Sequence, residues 1–417
     1  MGKLGAGAVT AAVVVAGPLP AALAHGGESP AGPRVVAEGL DNPRQLSLDG
    51  RHKSLVVAEA GRGGTECTEM GCAGPTGAVT LVEKPWQRTP VVSTVAEGFI
   101  SYAGPDGSFA VGANGADATD VAGEYIVAGY DPAGPFMENG SLLVTFEQEP
   151  DVRAIFPYAD LQAAEAELNP DGAQIHSNPY AVLFVDRDRH NSPDGYALVA
   201  DAGANAVWKI EPDFSTATET SPPEYEITVF ASWPNTALPD GTDDPEGPTE
   251  FVPTSLTSDE HGNVFVGGLG SDRPGEASVV QFSPDGTELK RWDGFTAVTG
   301  VAVDGGHLYV SQLFGPTPPM PPGETPADEA PPAADGAPGQ VVVLHRHGHG
   351  HHRWAIDVPL PAGLAVSRHG RVYAAVNSVA PAEGIPAGPE NPFGAIGGGA
   401  VWELDFSGAY RLESPQS

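Results

Sequence analysis

The chain has 417 residues, of which 54 are Gly, 42 are Pro and 41% are hydrophobic. This composition is rich in turns yet sufficient for a core, which excludes a wholly disordered chain and a helical bundle. Acidic residues outnumber basic ones by 54 to 20 and give a formal net charge of −34, which argues against binding to nucleic-acid phosphates or anionic lipid.

The first 24 residues have the organisation of an export signal. Lys3 supplies a positive charge, residues 6–16 form an apolar segment, and Ala22-Leu23-Ala24 is a small-x-small cleavage site. The apolar segment is too short to span a bilayer. We therefore predict a secreted, extracellular protein with a signal peptide at 1–24, a flexible mature N-terminus at 25–33 and no membrane span in the mature chain.

The two cysteines, Cys67 and Cys72, lie in a Gly-rich loop. An even pair of cysteines in an exported chain favours a disulfide. A zinc site needs more ligands than this loop offers. The sequence therefore predicts a Cys67–Cys72 bridge.

A unit of short strands recurs along the rest of the chain, most clearly in residues 177–210. Its apolar runs are four to six residues long and are bounded by Gly, Pro, Asn and Asp, which is typical of β-strands. Six tetrapeptides are predicted to open the innermost strand of each copy: residues 43–46, 118–121, 179–182, 253–256, 298–301 and 361–364.

Each tetrapeptide is followed by further short strands, and four antiparallel strands per repeat build the blade of a β-propeller. The shortest spacing between copies, 45 residues from Leu256 to Val301, matches one bare blade. We predict an all-β fold: a single six-bladed β-propeller over residues 34–417, with four-stranded antiparallel blades and long Gly/Pro-rich loop inserts. Residues 34–38 are predicted to close the ring by pairing with the last blade, which removes an open edge.

Polar side chains at the start of the innermost strands are expected to face the central channel: Asn42, Arg44, Thr119, Asp120, Asn178, Tyr180, Thr254 and Thr299. Side chains that end the second strands are expected at the channel mouth: Glu59, Asp201 and Gln312, with Asn377 one residue out of register. From these sets we predict ligand binding in the channel by Asn42, Arg44, Asp120, Tyr180, Thr254 and Gln312.

Glu59, Asn178 and Asp201 offer the oxygen ligands that Ca²⁺ prefers, and their carboxylates also suit acid/base chemistry. The same side chains could instead hydrogen-bond the ends of the inner strands and hold channel water. The sequence therefore establishes no cofactor and makes Ca²⁺ the one to test.

A second group of candidate metal ligands consists of histidines. His345, His347, His349 and His351 alternate, with His352 adjacent, and neutral imidazoles suit Zn²⁺, Ni²⁺ or Cu²⁺. The interleaved Gly348 and Gly350 favour a solvated loop without preset geometry as the alternative. The isolated His176, His261 and His307 are predicted to lie at the surface or the rim.

Several motifs are similar to those of a known family. They are Asn42-Pro43-Arg44-Gln45-Leu46 and residues 57–64, 74–80, 177–182 and 200–203. Together they resemble the ScyD/ScyE-like family of exported propellers over almost all of the mature chain. The resemblance implies a secreted propeller, named for genes clustered with biosynthesis of the sunscreen scytonemin, and it implies no established reaction.

No nucleophile elbow, P-loop, His-Glu-x-x-His or dinucleotide fingerprint occurs. Two functional classes remain. The first is a secreted binding or accessory protein that recognises a small molecule, a glycan or a protein through its channel face. The alternative is a metal-dependent hydrolase of the gluconolactonase or strictosidine-synthase-like kind, with Glu59, Asn178 and Asp201 as metal ligands.

Overall fold

The computed structural model describes residues 32–49, 53–69, 71–119, 121, 123–130, 140–149, 152–185, 195–213, 216, 224–234, 248–315, 339–346, 352–381, 383–384 and 398–412. Within these ranges the strands form six antiparallel sheets. The innermost strands of successive sheets contact one another in a closed ring, which makes the protein a six-bladed β-propeller. The predicted fold is confirmed, whereas the predicted signal peptide lies outside the described residues.

Strands are numbered along the chain, starting with β1 (Arg34–Leu40). Blade 1 contains β2 (Pro43–Leu48), β3 (Ser54–Glu59), the short β4 (Glu66–Cys67), β5 (Cys72–Glu83) and β6 (Val91–Ala103). Blade 2 contains β7 (Gly115–Ala118), β8 (Tyr125–Tyr130), β9 (Gly140–Glu149) and β10 (Val152–Asp160). Helix α1 (Leu161–Leu168) leads to blade 3, which contains β11 (Pro179–Val185), β12 (Tyr196–Asp201), β13 (Ala206–Asp213) and β14 (Glu224–Ser232).

The remaining blades follow the same order from the channel outward. Blade 4 contains β15 (Pro253–Ser258), β16 (Val264–Gly268), β17 (Ala277–Phe282) and β18 (Glu288–Phe295). Blade 5 contains β19 (Val298–Val303), β20 (His307–Gln312), β21 (Gln340–His345) and β22 (Arg353–Asp357). Blade 6 contains β23 (Leu364–Val366), β24 (Val372–Val376) and β25 (Gly399–Glu403), and a 3₁₀ turn (Phe406–Gly408) leads to β26 (Tyr410–Leu412), which pairs with β22.

The ring is closed by the first strand. β1 pairs antiparallel with β25, from Arg34 opposite Glu403 to Leu40 opposite Gly399. Arg34 Nε also donates a hydrogen bond to Glu403 Oε2 at 3.0 Å. The last blade is therefore completed from the N-terminal side, as predicted, and its outer edge is not left open.

The core lies between neighbouring blades. Second strands such as β3 are buried along their whole length, because both of their faces are covered. Between blades 2 and 3, the fully buried Trp208 packs in one cluster with Ile126 and Val182. Each blade thus completes the hydrophobic burial of the next, which explains why a single blade would not be stable.

The innermost strands approach one another so closely that some positions admit no side chain. A Cβ atom on Gly300 of β19 would lie 2.2 Å from the carbonyl oxygen of Ala362. A Cβ atom on Gly363, next to β23, would lie 2.3 Å from the amide nitrogen of Leu46 in blade 1. Glycine at these two positions lets the inner ring close.

Blade 2 differs from the prediction. Its innermost strand is β7, so the predicted start at residues 118–121 is wrong. Thr119 lies in the turn after β7, where its hydroxyl donates a hydrogen bond to Glu124 Oε1 at 2.9 Å, and Val121 is 52% exposed. Asp120, predicted to bind a ligand, is outside the described residues. The repeat pattern failed here because β7 is only four residues long and lacks the Pro that opens the tetrapeptides of blades 1, 3, 4 and 6.

The Cys-containing loop is a short hairpin between β4 and β5. Cys67 and Cys72 face each other in this ladder and form a disulfide, as predicted. No free cysteine remains, because the chain has only these two. The bridge fixes the loop between the second and third strands of blade 1.

Across the described ranges, none of the helical segments has the length and apolar character needed to traverse a bilayer.

Candidate ligand-binding channel

All innermost strands begin at one face of the ring, which we call the upper face. Because the strands in a blade are antiparallel, second strands end at this same face, and the connections between second and third strands lie there. The disulfide loop, α1 and the segment at residues 104–111 all belong to the upper face. The predicted channel residues are therefore concentrated at this end.

Asp201, at the end of β12, is fully buried and its carboxylate is surrounded by donors. Its Oδ1 accepts hydrogen bonds from the amides of Asn178 at 2.6 Å and of Gly203 and Ala204 at 3.1 Å each. Its Oδ2 accepts from the Ser177 hydroxyl at 2.5 Å and from Trp208 Nε1 at 3.0 Å. Burial raises the pKa of Asp201 although these donors oppose the shift. Asp201 therefore holds the start of blade 3 in place.

Glu59 and Gln312 occupy the corresponding position in blades 1 and 5. Glu59 Oε2 accepts a hydrogen bond from the Asp41 amide at 2.7 Å, and Glu59 Oε1 accepts one from the Thr80 hydroxyl at 2.5 Å. Gln312 Oε1 accepts one from the Thr296 amide at 2.7 Å. Burial raises the pKa of Glu59, ahead of the opposing hydrogen bonds. Glu59, Asp201 and Gln312 therefore have the same role, because each holds in place the segment that enters the innermost strand of its blade.

The predicted metal ligands can be tested for their fit to a cation. Asn178 and Asp201 are brought together, but Asn178 Oδ1 accepts a hydrogen bond from the Tyr130 hydroxyl at 2.9 Å. Both carboxylate oxygens of Glu59 and of Asp201 also accept hydrogen bonds from the chain. Within the described ranges, no group of three or more His, Cys, Asp or Glu side chains is placed to hold a metal ion. In this arrangement the three residues do not fit Ca²⁺, which needs several free oxygens.

A ring of polar side chains joins the innermost strands. Thr254 Oγ1 donates a hydrogen bond to the carbonyl of Val298 at 2.6 Å, and Thr299 Oγ1 donates one to that of Pro361 at 2.8 Å. In both cases the acceptor is the first residue of the next innermost strand or lies just before it. These two threonines therefore connect neighbouring blades through side-chain hydrogen bonds.

Asn114 makes the same kind of contact between blades 2 and 3. Its Nδ2 donates a hydrogen bond to the carbonyl of Pro179 at 3.2 Å. Asn114 was not predicted, because the predicted start of blade 2 was too late in the chain. The Asn114-Gly115 pair corresponds to Thr299-Gly300 in blade 5, but an Asn-Gly pair is also typical of an ordinary turn and so did not indicate a strand.

Arg44 differs from the other members of the ring. It is 4% exposed, and its Nη2 donates a hydrogen bond to the carbonyl of Ala110 at 2.5 Å, but its Nε has no partner. No carboxylate pairs with Arg44 among the described residues. Among the described residues, the buried Arg44 cation at the upper end of the channel therefore has no compensating negative charge.

The segment at residues 104–111, which we call the cap loop, covers this end. Asn42 Nδ2 donates hydrogen bonds to the carbonyls of Gly61 and of Gly107, both at 2.8 Å, while Asn42 Oδ1 is buried without a partner. At the tip of the loop the Phe109 amide donates to the carbonyl of Val379, just beyond β24, at 3.3 Å, and the Phe109 side chain is half exposed. The cap loop thus spans the mouth between blades 1 and 6.

Tyr180 is at the position in β11 that Arg44 has in β2. It is partly exposed, and its hydroxyl has no hydrogen bond within the described part of the chain. Gln45, next to Arg44, donates to the carbonyl of Val182 at 2.6 Å and accepts from its amide at 2.8 Å. The Gln45 side chain thus bridges β2 and β11, the strands that carry Arg44 and Tyr180.

The histidines fall outside this site. His261 is exposed and His176 is partly buried. His307 is 7% exposed, so of the two predicted locations, surface or rim, it has the second, at the end of the blade where β20 begins. It is buried because it opens β20, between two neighbouring strands. His345 and His352 are exposed; His347, His349 and His351 lie outside the described residues.

The fold and channel define the class of this protein: a six-bladed β-propeller with a capped, polar channel mouth. No protein-family model and no curated protein sequence matches the chain. Among solved structures, it is similar to a periplasmic gluconolactonase of Pseudomonas aeruginosa at 14% identity and a TM-score of 0.46, covering 87% of this chain and 88% of that one. It is also similar to a Kuenenia stuttgartiensis hydrazine synthase at 13% identity and a TM-score of 0.42, covering 82% and 76% of the two chains. Likeness at this level carries no argument about activity.

Proposed function

We propose that this protein is a binding propeller that holds a small molecule with an anionic group at the upper end of its channel, beside Arg44. The observation that carries this proposal is the burial of the Arg44 guanidinium with an unpartnered Nε and with no carboxylate partner in the part of the chain that the structure describes. A buried unpaired charge is costly, and an anionic ligand group would compensate it.

The neighbouring groups fit the same kind of ligand. A guanidinium offers planar paired donors to a carboxylate or a phosphate. Asn42 Oδ1 and the partly exposed Tyr180 add an acceptor and a hydroxyl at the same mouth. The strongly acidic chain repels large polyanions, so the favoured ligand is a small molecule whose anionic group enters the channel.

The hydrogen bonds of the carboxylates favour binding over metal-dependent hydrolysis. Glu59 and Asp201 are engaged by donors from their own blades, and these bonds would have to break before either residue bound Ca²⁺. The hydrolase therefore remains the alternative. It predicts that Ca²⁺ added to EDTA-treated protein raises the unfolding temperature, whereas a binding propeller without this site is unaffected by Ca²⁺.

We further propose that the protein is exported and belongs with the ScyD/ScyE-like propellers. The Cys67–Cys72 disulfide supports export, because such bonds persist in oxidising compartments. Expression of the full chain in a secreting host tests this: N-terminal sequencing of the secreted protein is expected to begin at His25, and retention of Met1 would contradict the proposal.

The binding proposal is tested with defined anionic probes. Inorganic phosphate, glucose 6-phosphate, malonate and citrate are titrated against the protein while its thermal unfolding is followed, and calorimetry then gives the affinity of the best probe. We expect at least one probe to bind, and Arg44→Gln to weaken it by about tenfold or more, the usual effect of losing a buried charged contact.

Arg62→Gln is the matched control. Arg62 is exposed at the same face, where its Nε lies 3.5 Å from Asp41 Oδ2, and we expect its loss to change the affinity less than twofold. In the absence of ligand, Arg44→Met is expected to be as stable as the unaltered protein or more so, because a buried unpaired charge is removed. Failure of all four probes to bind, or binding that Arg44→Gln leaves unchanged, would overturn the proposal.

A further inference from the structure

The lower face of the ring carries a pair of histidines that the channel does not use. His307 opens β20 and His345 ends β21, and the two residues are directly opposite each other in the ladder. Their ring centroids are 4.8 Å apart. Directly opposed residues of an antiparallel pair have their side chains on the same face of the sheet, so both imidazoles can reach one point.

Asp304 orients one of these imidazoles. Its Oδ1 accepts hydrogen bonds from His307 Nδ1 at 3.1 Å and from the amides of Gly306 at 3.1 Å and His307 at 2.9 Å. Its Oδ2 accepts one from the Tyr309 hydroxyl at 3.0 Å. Asp304 is thus surrounded by donors, and a carboxylate in this position accepts the bond from His307 Nδ1, which leaves the lone pair of the neutral imidazole on Nε2.

Within the described ranges, His307 Nε2 is left without a partner. The His307 side chain is 8% exposed, and Nε2 is buried with no hydrogen bond to any described residue. Buried polar atoms are rarely left unsatisfied in folded proteins. A carboxylate on one ring nitrogen and a free lone pair on the other is the arrangement of metal-binding histidines, in which the carboxylate fixes the tautomer and raises the basicity of the ligand.

We propose that His307 Nε2 and the His345 imidazole bind a divalent transition-metal ion of the Zn²⁺, Ni²⁺ or Cu²⁺ class at the lower face, with Asp304 as a positioning residue. Two imidazoles on one tetrahedral ion, with bonds of about 2.0 Å, place their ring centroids about 5 Å apart, close to the observed separation. Ligand softness favours these ions over Ca²⁺ or Mg²⁺. Solvent fills the other coordination positions.

The nearby basic residues do not prevent binding. Arg346, which follows His345, forms an ion pair with Asp259, with Arg346 Nη2 3.2 Å from Asp259 Oδ2. Lys290 Nζ donates a hydrogen bond to the Arg346 carbonyl at 2.9 Å. The guanidinium is thus neutralised by its own carboxylate, and the lower-face site depends on neither Arg44 nor the upper face.

The test is a calorimetric titration of the EDTA-treated full chain with ZnCl₂ at about pH 7.5, where imidazole is mostly neutral. We expect His307→Gln and His345→Gln each to weaken Zn²⁺ binding by about tenfold or more, and Asp304→Asn to weaken it by about tenfold through the outer shell. His261→Gln is the matched control, because this histidine is on a neighbouring lower-face turn and its side chain is 69% exposed. The His261→Gln variant should change the Zn²⁺ affinity by less than twofold.

A second measurement guards against a folding defect in the His307 variant. The ¹⁵N resonance of His307 Nε2 in the unaltered protein is expected to shift on saturation with Zn²⁺, while that of His261 stays in place. Zn²⁺ affinity that is unchanged in both His307→Gln and His345→Gln, or that is lost only on replacing His347, His349 and His351 together, would overturn the proposal. So would a His307 resonance that does not respond.

Discussion

At the scale of single residues, position in the blade decides what a polar side chain does. Glu59, Asp201 and Gln312 end the second strands of three blades, and each accepts a hydrogen bond from an amide at the start of its own blade. Side chains that could have been metal ligands or catalytic acids therefore hold the backbone in place by hydrogen bonds instead. Arg44 has no partner for its charge among the residues that the structure describes, which is why we assign it to a ligand.

Asp201→Asn is expected to destabilise the protein by about 2–3 kcal/mol. Asp201 accepts from five donors, whereas the amide of Asn has one acceptor oxygen and turns its NH₂ group towards some of those donors. Urea unfolding measures the loss. Glu59→Gln is the control and should cost less than about 1 kcal/mol, because Gln312 already fills the equivalent position in blade 5. Equal stability of Asp201→Asn and the unaltered protein would contradict this role.

Glu165 of α1 predicts a dependence of stability on pH. Both of its carboxylate oxygens are buried without a hydrogen bond, and burial, followed by the charges of Asp171 and Asp201, raises its pKa from 4.5 to about 7. Burial likewise raises the pKa of Asp117 in β7 to about 7. The folded state holds these protons more tightly than the unfolded state, so the stabilisation is complete below about pH 4.5 and is lost as the pH rises through about 7.

Glu165→Gln is therefore expected to match the unaltered protein near pH 4.5 and to exceed its free energy of unfolding by about 1–3 kcal/mol at pH 8. Urea unfolding at a series of pH values measures the difference. A variant whose advantage does not grow between pH 5 and pH 8 would show that Glu165 is not held protonated in the folded protein.

At the scale of elements, the start of most innermost strands requires an unusual backbone. Asn42, Val252, Ala297 and Leu360 precede four of the six innermost strands, and their φ angles of 49°, 52°, 46° and 41° are all left-handed. Asn tolerates this conformation, but a β-branched residue does so only with strain. The geometry of the ring therefore imposes a left-handed backbone on Val252, although a β-branched residue prefers a negative φ.

Val252→Asn is expected to raise the free energy of unfolding by about 1 kcal/mol, because Asn adopts the left-handed conformation at lower cost. The main-chain bonds of this residue, from its amide to Asn205 Oδ1 at 2.9 Å and from the Leu269 amide to its carbonyl at 2.9 Å, are kept. Val298→Asn serves as the control. Val298 is fully buried at the start of β19, so the same change should destabilise the protein there. A lower free energy of unfolding in Val252→Asn would contradict the inferred backbone strain at this position.

At the scale of the whole molecule, charge opposes the compact ring. The formal net charge is −34, so self-repulsion among acidic groups destabilises the folded state at low ionic strength. Raising NaCl from about 0.05 to about 0.5 M shortens the Debye length and should raise the unfolding temperature by about 2–5 °C. KCl should act equally, and an unfolding temperature that falls with either salt would show that this repulsion does not govern the stability of the ring.

Much of the fold could be predicted from the sequence because blades repeat. Runs of apolar residues between turn residues located five of the six innermost strands. Closure of the ring predicted the pairing of β1, and the even pair of cysteines predicted the disulfide. The start of blade 2 could not be found in this way. Its Asn114-Gly115 pair is typical of an ordinary turn, and only the close packing of β7 between β2 and β11 shows that it opens a strand.

The candidate site was predictable in part. Asn42, Arg44 and Tyr180 follow from their places at the start of innermost strands, and the structure puts Arg44 and Asn42 under the cap loop. The sequence allowed, as the alternative to a metal site, that Glu59 and Asp201 hydrogen-bond the ends of the inner strands, and the structure shows such bonds. The particular donors could not be predicted, because they are amides and hydroxyls brought in by neighbouring segments. The pairing of His307 with His345 depends on the register of two strands that a long insert separates in the sequence, which the residues alone do not encode.

Binding of an anionic group by Arg44 at the channel mouth can be seen directly in a crystal structure of the protein with its strongest anionic probe. We expect density for the carboxylate or phosphate within hydrogen-bonding distance of Arg44 Nε, beneath the cap loop and near Tyr180. A probe bound at another surface, with the Arg44 guanidinium still unpaired in the channel, would contradict the proposed function.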